Sequence, residues 1–126
     1  FEVIHPYQLL GLPYRLGAKP EKHGAADCFS LAQAIVRWHG VEMPDAQRSW
    51  YRRLRNKDYS VFQEELDRWG KQISTPMMAS VALCRSAYGY GLATYFEDGW
   101  ISFVESEVKW SPAGDLDRVA LYCRMK

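Results

Sequence analysis

The sequence predicts an α+β domain in which N-terminal helices pack on a C-terminal antiparallel β-sheet. Three observations predict it. Apolar residues recur at helical spacing up to about residue 75, the texture beyond Pro76 changes to short β-rich runs, and Asp98-Gly99 stands between two such runs as a tight-hairpin signal. Helices first and strands afterwards is the order of an α+β fold rather than of alternating βαβ units. With 126 residues, 48% hydrophobic and 14% aromatic, the chain can bury one genuine core. A single domain over 1–126 is expected, helical over about 1–75 and sheet over about 76–126.

Taken in order, His5-Pro6 followed by "YQLLGL" predicts a short opening helix ended by Gly11. Residues 13–27, "PYRLGAKPEKHGAAD", hold two prolines, two glycines and scattered charge, a loop composition. Asp27 is a good N-cap, and Leu31, Ile35 and Trp38, with Ala32 and Val36, keep helical spacing until Gly40 supplies a stop. "AQRSWYRRLRNK" predicts a surface helix with Trp50, Tyr51 and Leu54 inward. "SVFQEELDRWG" predicts a helix opened by a capping box of Ser60 and Gln63 and closed by Gly70. Strands are predicted at 79–85, 90–97, 100–105 and 118–125. The middle pair is antiparallel if Asp98-Gly99 forms its turn.

Sixteen basic against fifteen acidic residues give a net charge of +1, so no global field draws the chain toward nucleic acid or an anionic membrane. No apolar run approaches the roughly 18 residues of a spanning helix, and no basic segment followed by an apolar stretch opens the chain. A soluble protein is expected. The start at Phe1 rather than methionine leaves processing and trimmed numbering both open. Three cysteines are odd in number and too few for a disulfide scaffold.

Cys28 falls in the first turn of the best-defined helix. There the unpaired N–H groups and the positive end of the helix dipole favour thiolate over thiol. The alternative is a buried thiol with no chemistry. Cys84 and Cys123 lie on predicted strands with apolar neighbours and read as core. If their strands are adjacent, a disulfide between them becomes geometrically open. The cysteines and histidines show no paired short spacing of the kind zinc sites use, so no metal is expected. "RSWYRRLRNK" combines five basic residues with Trp50 and Tyr51. A solvated face or a protein contact fits it better than nucleic acid does.

"GLPYRLGA" (11–18) and "ADCFSLAQAIVRWHGVEMP" (26–44) together resemble the start of NlpC-type cell-wall cysteine peptidases, a papain-like family. Gly11, Pro13, Tyr14, Gly17, Asp27, Cys28, Gly40, Val41 and Pro44 carry the likeness. Phe29 after the cysteine is similar to members carried by bacteriophage tails, and "YGLATYFEDGW" resembles the family's strand and Asp-Gly hairpin. The resemblance implies a papain-like NlpC-type domain and cleavage of peptidoglycan stem peptides. Cys28 would be the nucleophile, and Tyr14 would help bind the oxyanion. No cofactor is implied.

The expected histidine would fall at about Tyr90 or Gly91 and the third polar residue near Ser102 or Phe103, and neither position holds the usual side chain. Loss of a base is a mechanistic loss, because a neutral thiol attacks poorly and the leaving amine needs a proton. His39 shares the Cys28 helix at a separation of roughly 16 Å and cannot pair with it. His23 and His5 are the remaining candidates for an unorthodox base. Three readings follow. The first is a phage tail or baseplate component, residing in the virion after assembly in the host cytoplasm, with its peptidase chemistry weakened or lost. Its partners would be other virion tail or baseplate proteins, with no nucleic acid and no membrane insertion. The second is an active peptidase acting on peptidoglycan stem peptides through Cys28, with His23 or His5 as the base and Tyr14 at the oxyanion. The third is an intracellular binding module.

Overall fold

The computed structural model describes residues 3–86, 89–114 and 116–124. A 3₁₀ turn at Pro6–Leu9 is followed by α1 (Pro20–His23), α2 (Cys28–Trp38), α3 (Arg48–Arg55) and α4 (Ser60–Trp69). The strands are β1 (Lys71–Gln72), β2 (Val81–Ser86), β3 (Gly89–Phe96), β4 (Gly99–Val104), β5 (Glu107–Pro112) and β6 (Arg118–Cys123). They form one sheet in the order β1-β6-β2-β3-β4-β5, antiparallel throughout. The helices-then-sheet order stands as predicted.

Alternation along the strands sorts the two faces of the sheet. Leu83 and Leu92 join Phe29, Val36, Phe62 and Trp69 in the largest core cluster, between the sheet and the helices. Phe96 and Ile101 pack with Leu9, Leu31 and Ile35 in a second cluster. Ala82, Cys84, Ala93, Trp100 and Leu121 form a third group from the alternate positions. Burial of a Leu or Ile side chain contributes about 1.5–3 kcal/mol, so the apolar stripe of α2 does more for that helix than propensity does.

Several local readings are corrected. The opening helix is a single 3₁₀ turn, capped by His5 through its own ring nitrogen. The 13–27 loop contains α1, which Pro20 starts and Gly24 ends at φ +61°. Ser60 is the first residue inside α4 rather than its cap; the cap position is Tyr59, and Asp58 accepts from both the Ser60 backbone and its hydroxyl. The β3–β4 turn is centred on Glu97 and Asp98, both at positive φ, and Gly99 is already the first residue of β4. Gly99 is needed for another reason: any Cβ there would overlap the Trp110 indole, whose Nε1 donates to Phe96 O at 2.9 Å.

Two strands escaped the sequence. β1 has two residues, and β5 hides its register with Ile101↔Trp110 among charged and proline positions. The turn before β5, Glu105-Ser106, also sits at positive φ without a glycine or asparagine to announce it. The last predicted strand ends at Cys123, and Met125 lies outside the described residues.

Candidate functional site

Asp27 organises the site. Its Oδ1 accepts from Ser30 N at 2.8 Å, while Ser30 Oγ accepts from Asp27 N at 3.0 Å, closing a reciprocal cap on α2. Its Oδ2 accepts from Gly17 N at 2.8 Å, and the Tyr51 hydroxyl lies near the same carboxylate. Asp27 is 1% exposed. It ties the loop before α1, the start of α2 and the face of α3 into one corner.

Cys28 follows as the first residue of α2, half-buried, with its sulfur against the backbone of β3. The environment of the thiol acts against the direction the helix dipole favours. Burial pushes the Cys28 thiol up to about 12, the Asp27 carboxylate and Cys84 push in the same direction, and the Leu92 N–H offers partial relief. The first-turn Ser30 N–H is spent on Asp27 instead of on the sulfur. Burial therefore favours the neutral thiol at neutral pH.

The structure brings Tyr14 to Cys28 and leaves His23 away from it. Tyr14 packs edge-on against Phe103, ring centroids 5.1 Å apart, and its N donates to Ser106 O at 2.9 Å. Burial raises the pKa of its hydroxyl, and Cys28, Asp27 and Tyr59 raise it further. His23 is exposed at the end of α1, where its Nδ1 accepts from Lys19 N at 2.9 Å. His5 lies against Trp38 (4.7 Å) and His39 against Phe96 (5.9 Å), beyond the other end of α2. No histidine is among the groups that act on the Cys28 thiol.

Gly91 on β3 lies beside the sulfur. A Cβ built there would meet Cys28 Sγ at 3.8 Å, ordinary contact, and nothing else within 4 Å. On β4, Phe103 packs on the second core cluster with its ring against Tyr14, and Ser102 is buried.

Sequence reasoning missed the tyrosines. Tyr51 reaches Asp27, Tyr59 stands 6.1 Å from the Tyr90 ring, and Gly89, at φ +123°, passes so close beneath Tyr59 that a Cβ would come within 2.6 Å of it. Spacing gave no signal, because these residues come from α3, the α3–α4 connection and β3. Cys84 and Cys123 are not joined by a disulfide. β2 and β6 are neighbours, but Cys84 pairs with Arg118 while Tyr122 pairs with Val81, so the two cysteines stand at opposite ends of the ladder and form no disulfide. Among the described residues, no group of three or more His, Cys, Asp or Glu is placed to hold a metal, and no helix is long and apolar enough to cross a membrane.

Helices on one antiparallel sheet, with a cysteine opening the central helix against β3, define an α+β domain of the papain-like class. Solved structures give the more particular statement. The chain is similar to NlpC1 of Trichomonas vaginalis, with a TM-score of 0.60, 15% identity and coverage of 94% of this chain and 41% of that one. It is also similar to NlpC2 of the same organism, with a TM-score of 0.59, 10% identity and coverage of 94% and 44%. The fold is NlpC-type. The chain spans less than half the length of either protein. No protein-family model and no curated protein matches the sequence.

Proposed function

We propose that this chain is an NlpC-type domain whose peptidase chemistry is lost, acting as a non-catalytic component of a phage tail or baseplate. The observation that carries the first half is the surroundings of Cys28: no imidazole beside the sulfur, a glycine at the position that faces it, and a thiol pushed up to about 12. Amide cleavage needs a thiolate to attack the carbonyl and an acid to protonate the departing amine. Tyr14 adds a hydroxyl donor near the sulfur but supplies neither requirement at neutral pH.

The second half rests on the resemblance carried by Phe29 and the Asp-Cys motif. Its partners would be other tail or baseplate proteins and its location the virion. Digestion of purified peptidoglycan by the wild-type chain and by Cys28→Ala tests the loss of chemistry. Equal, background release of stem peptides from both is expected by mass spectrometry, and release by wild type alone would restore the peptidase reading. Detection of the chain in purified tails tests the location.

A further inference from the structure

α3 treats its arginines differently on its two flanks. With Trp50 buried and Leu54 packed on the core, Arg53 falls on the flank facing α4. There it meets Asp58 at 2.7 Å, Glu64 at 2.6 Å and Ser60 Oγ at 2.9 Å. Arg48, Arg52 and Arg55 follow i, i+4, i+7 spacing on the opposite flank. All three are exposed, and no ion pair among the described residues includes them. Residues 46–57 contain no carboxylate that could serve them.

Tyr51 sits between this ridge and the inward stripe of α3, and its hydroxyl rests on Asp27 beside Cys28. The ridge therefore borders the Cys28 surface. Tyr14 and Tyr90 each leave 41% of their area in solvent on that surface, and Tyr59 stands next to Tyr90. Tyrosine offers large contact area at low entropic cost, and arginine offers forked recognition of carboxylates.

We infer that this tyrosine surface, with the α3 ridge as its border, docks an extended acidic segment of a partner protein, which it holds without cutting. The non-cutting part rests on the function proposed above. Arg48 and Arg52 are separated by about 6 Å along the helix, close to the roughly 6.6 Å between side chains on one face of an extended strand. Carboxylates at alternate residues would therefore meet the ridge while the opposite side chains lie over the rings. Nucleic acid is the poorer fit, because the ridge's own rings are withdrawn, Trp50 buried and Tyr51 packed toward the core, and a net charge of +1 gives no wider field to hold a phosphate backbone.

Fluorescence anisotropy with a labelled peptide of about twelve residues, alternating glutamate and alanine, at about 50 mM salt tests this. The glutamate peptide is expected to bind at least about tenfold more tightly than its glutamine counterpart. The triple substitution Arg48→Gln, Arg52→Gln, Arg55→Gln should weaken it roughly tenfold, three exposed charge contacts each giving a factor of a few. Tyr14→Ala with Tyr90→Ala should weaken it severalfold, whereas Lys109→Gln, an exposed cation on β5, should leave it unchanged. Equal binding of the two peptides, no effect of the triple substitution, or stronger competition by single-stranded DNA or a soluble wall stem peptide overturns the inference. If the glutamate peptide binds but is recovered cleaved, the docking surface stands and the non-catalytic reading falls.

Discussion

The two ends of α2 carry different titratable groups. The N-terminal end has a thiol without an imidazole, and the C-terminal end has two imidazoles without a thiol. Eleven helical residues, about 16 Å, keep them apart. Both ends also defy the helix dipole. The positive end should depress the Cys28 pKa and the negative end should raise that of His39, yet burial moves Cys28 up and His39 down. His39 packs against Phe96 with its Nε2 buried and unpartnered, and His5 caps the neighbouring 3₁₀ turn while lying against Trp38. Withdrawal from water is the largest influence on both groups, and at each end it acts against the direction the dipole favours.

The strongest way to break the comparison is to remove the residue that fixes the N-terminal end. Asp27→Ala deletes the cap on Ser30 and strands the Gly17 N–H, which together should cost about 2–4 kcal/mol. Chemical denaturation measures it, and a loss below about 1 kcal/mol would show that the corner is held by packing instead. The next test moves an imidazole to the thiol. Gly91→His places a ring beside Cys28 on a strand whose φ tolerates any residue. An imidazolium there should lower the thiol pKa by one unit or more, so alkylation at neutral pH should speed up roughly tenfold or beyond. An unchanged rate would mean that position 91 does not face the sulfur in solution.

The smallest effect belongs to the other end. A histidine held below its ordinary 6.5 by burial contributes stability that is full above that value and is lost as pH falls through its lowered folded value. The melting temperature should therefore decline as pH falls below about 6.5, and His39→Gln should flatten that slope. Asp45, Asp58 and Glu64, held low by their hydrogen-bonding partners, act in a more acidic window. An unaltered slope in the variant would assign the decline to another group.

Much of the fold was legible because it is written locally. Asp27 announces α2 by its capping chemistry, Gly40 ends it, and the period of the apolar residues changes from helical to alternating after Pro76. Turns were legible only where glycine marks them. Glu97-Asp98 and Glu105-Ser106 take positive φ under pressure from strand pairing, so one hairpin was placed a residue late and β5 was missed. At the site, the neighbours of Cys28 along the chain were readable and its neighbours across space were not.

By itself the sequence determined the order of elements, the helix that carries Cys28 and the shortage of histidines near it, because each follows from short-range spacing and composition. Only the tertiary structure decided that β3 brings Gly91 to the sulfur, that Tyr14 arrives from a separate loop, and that burial pushes the thiol up. Those outcomes depend on how much water the packed chain excludes from one atom, and that quantity exists only after distant segments have met.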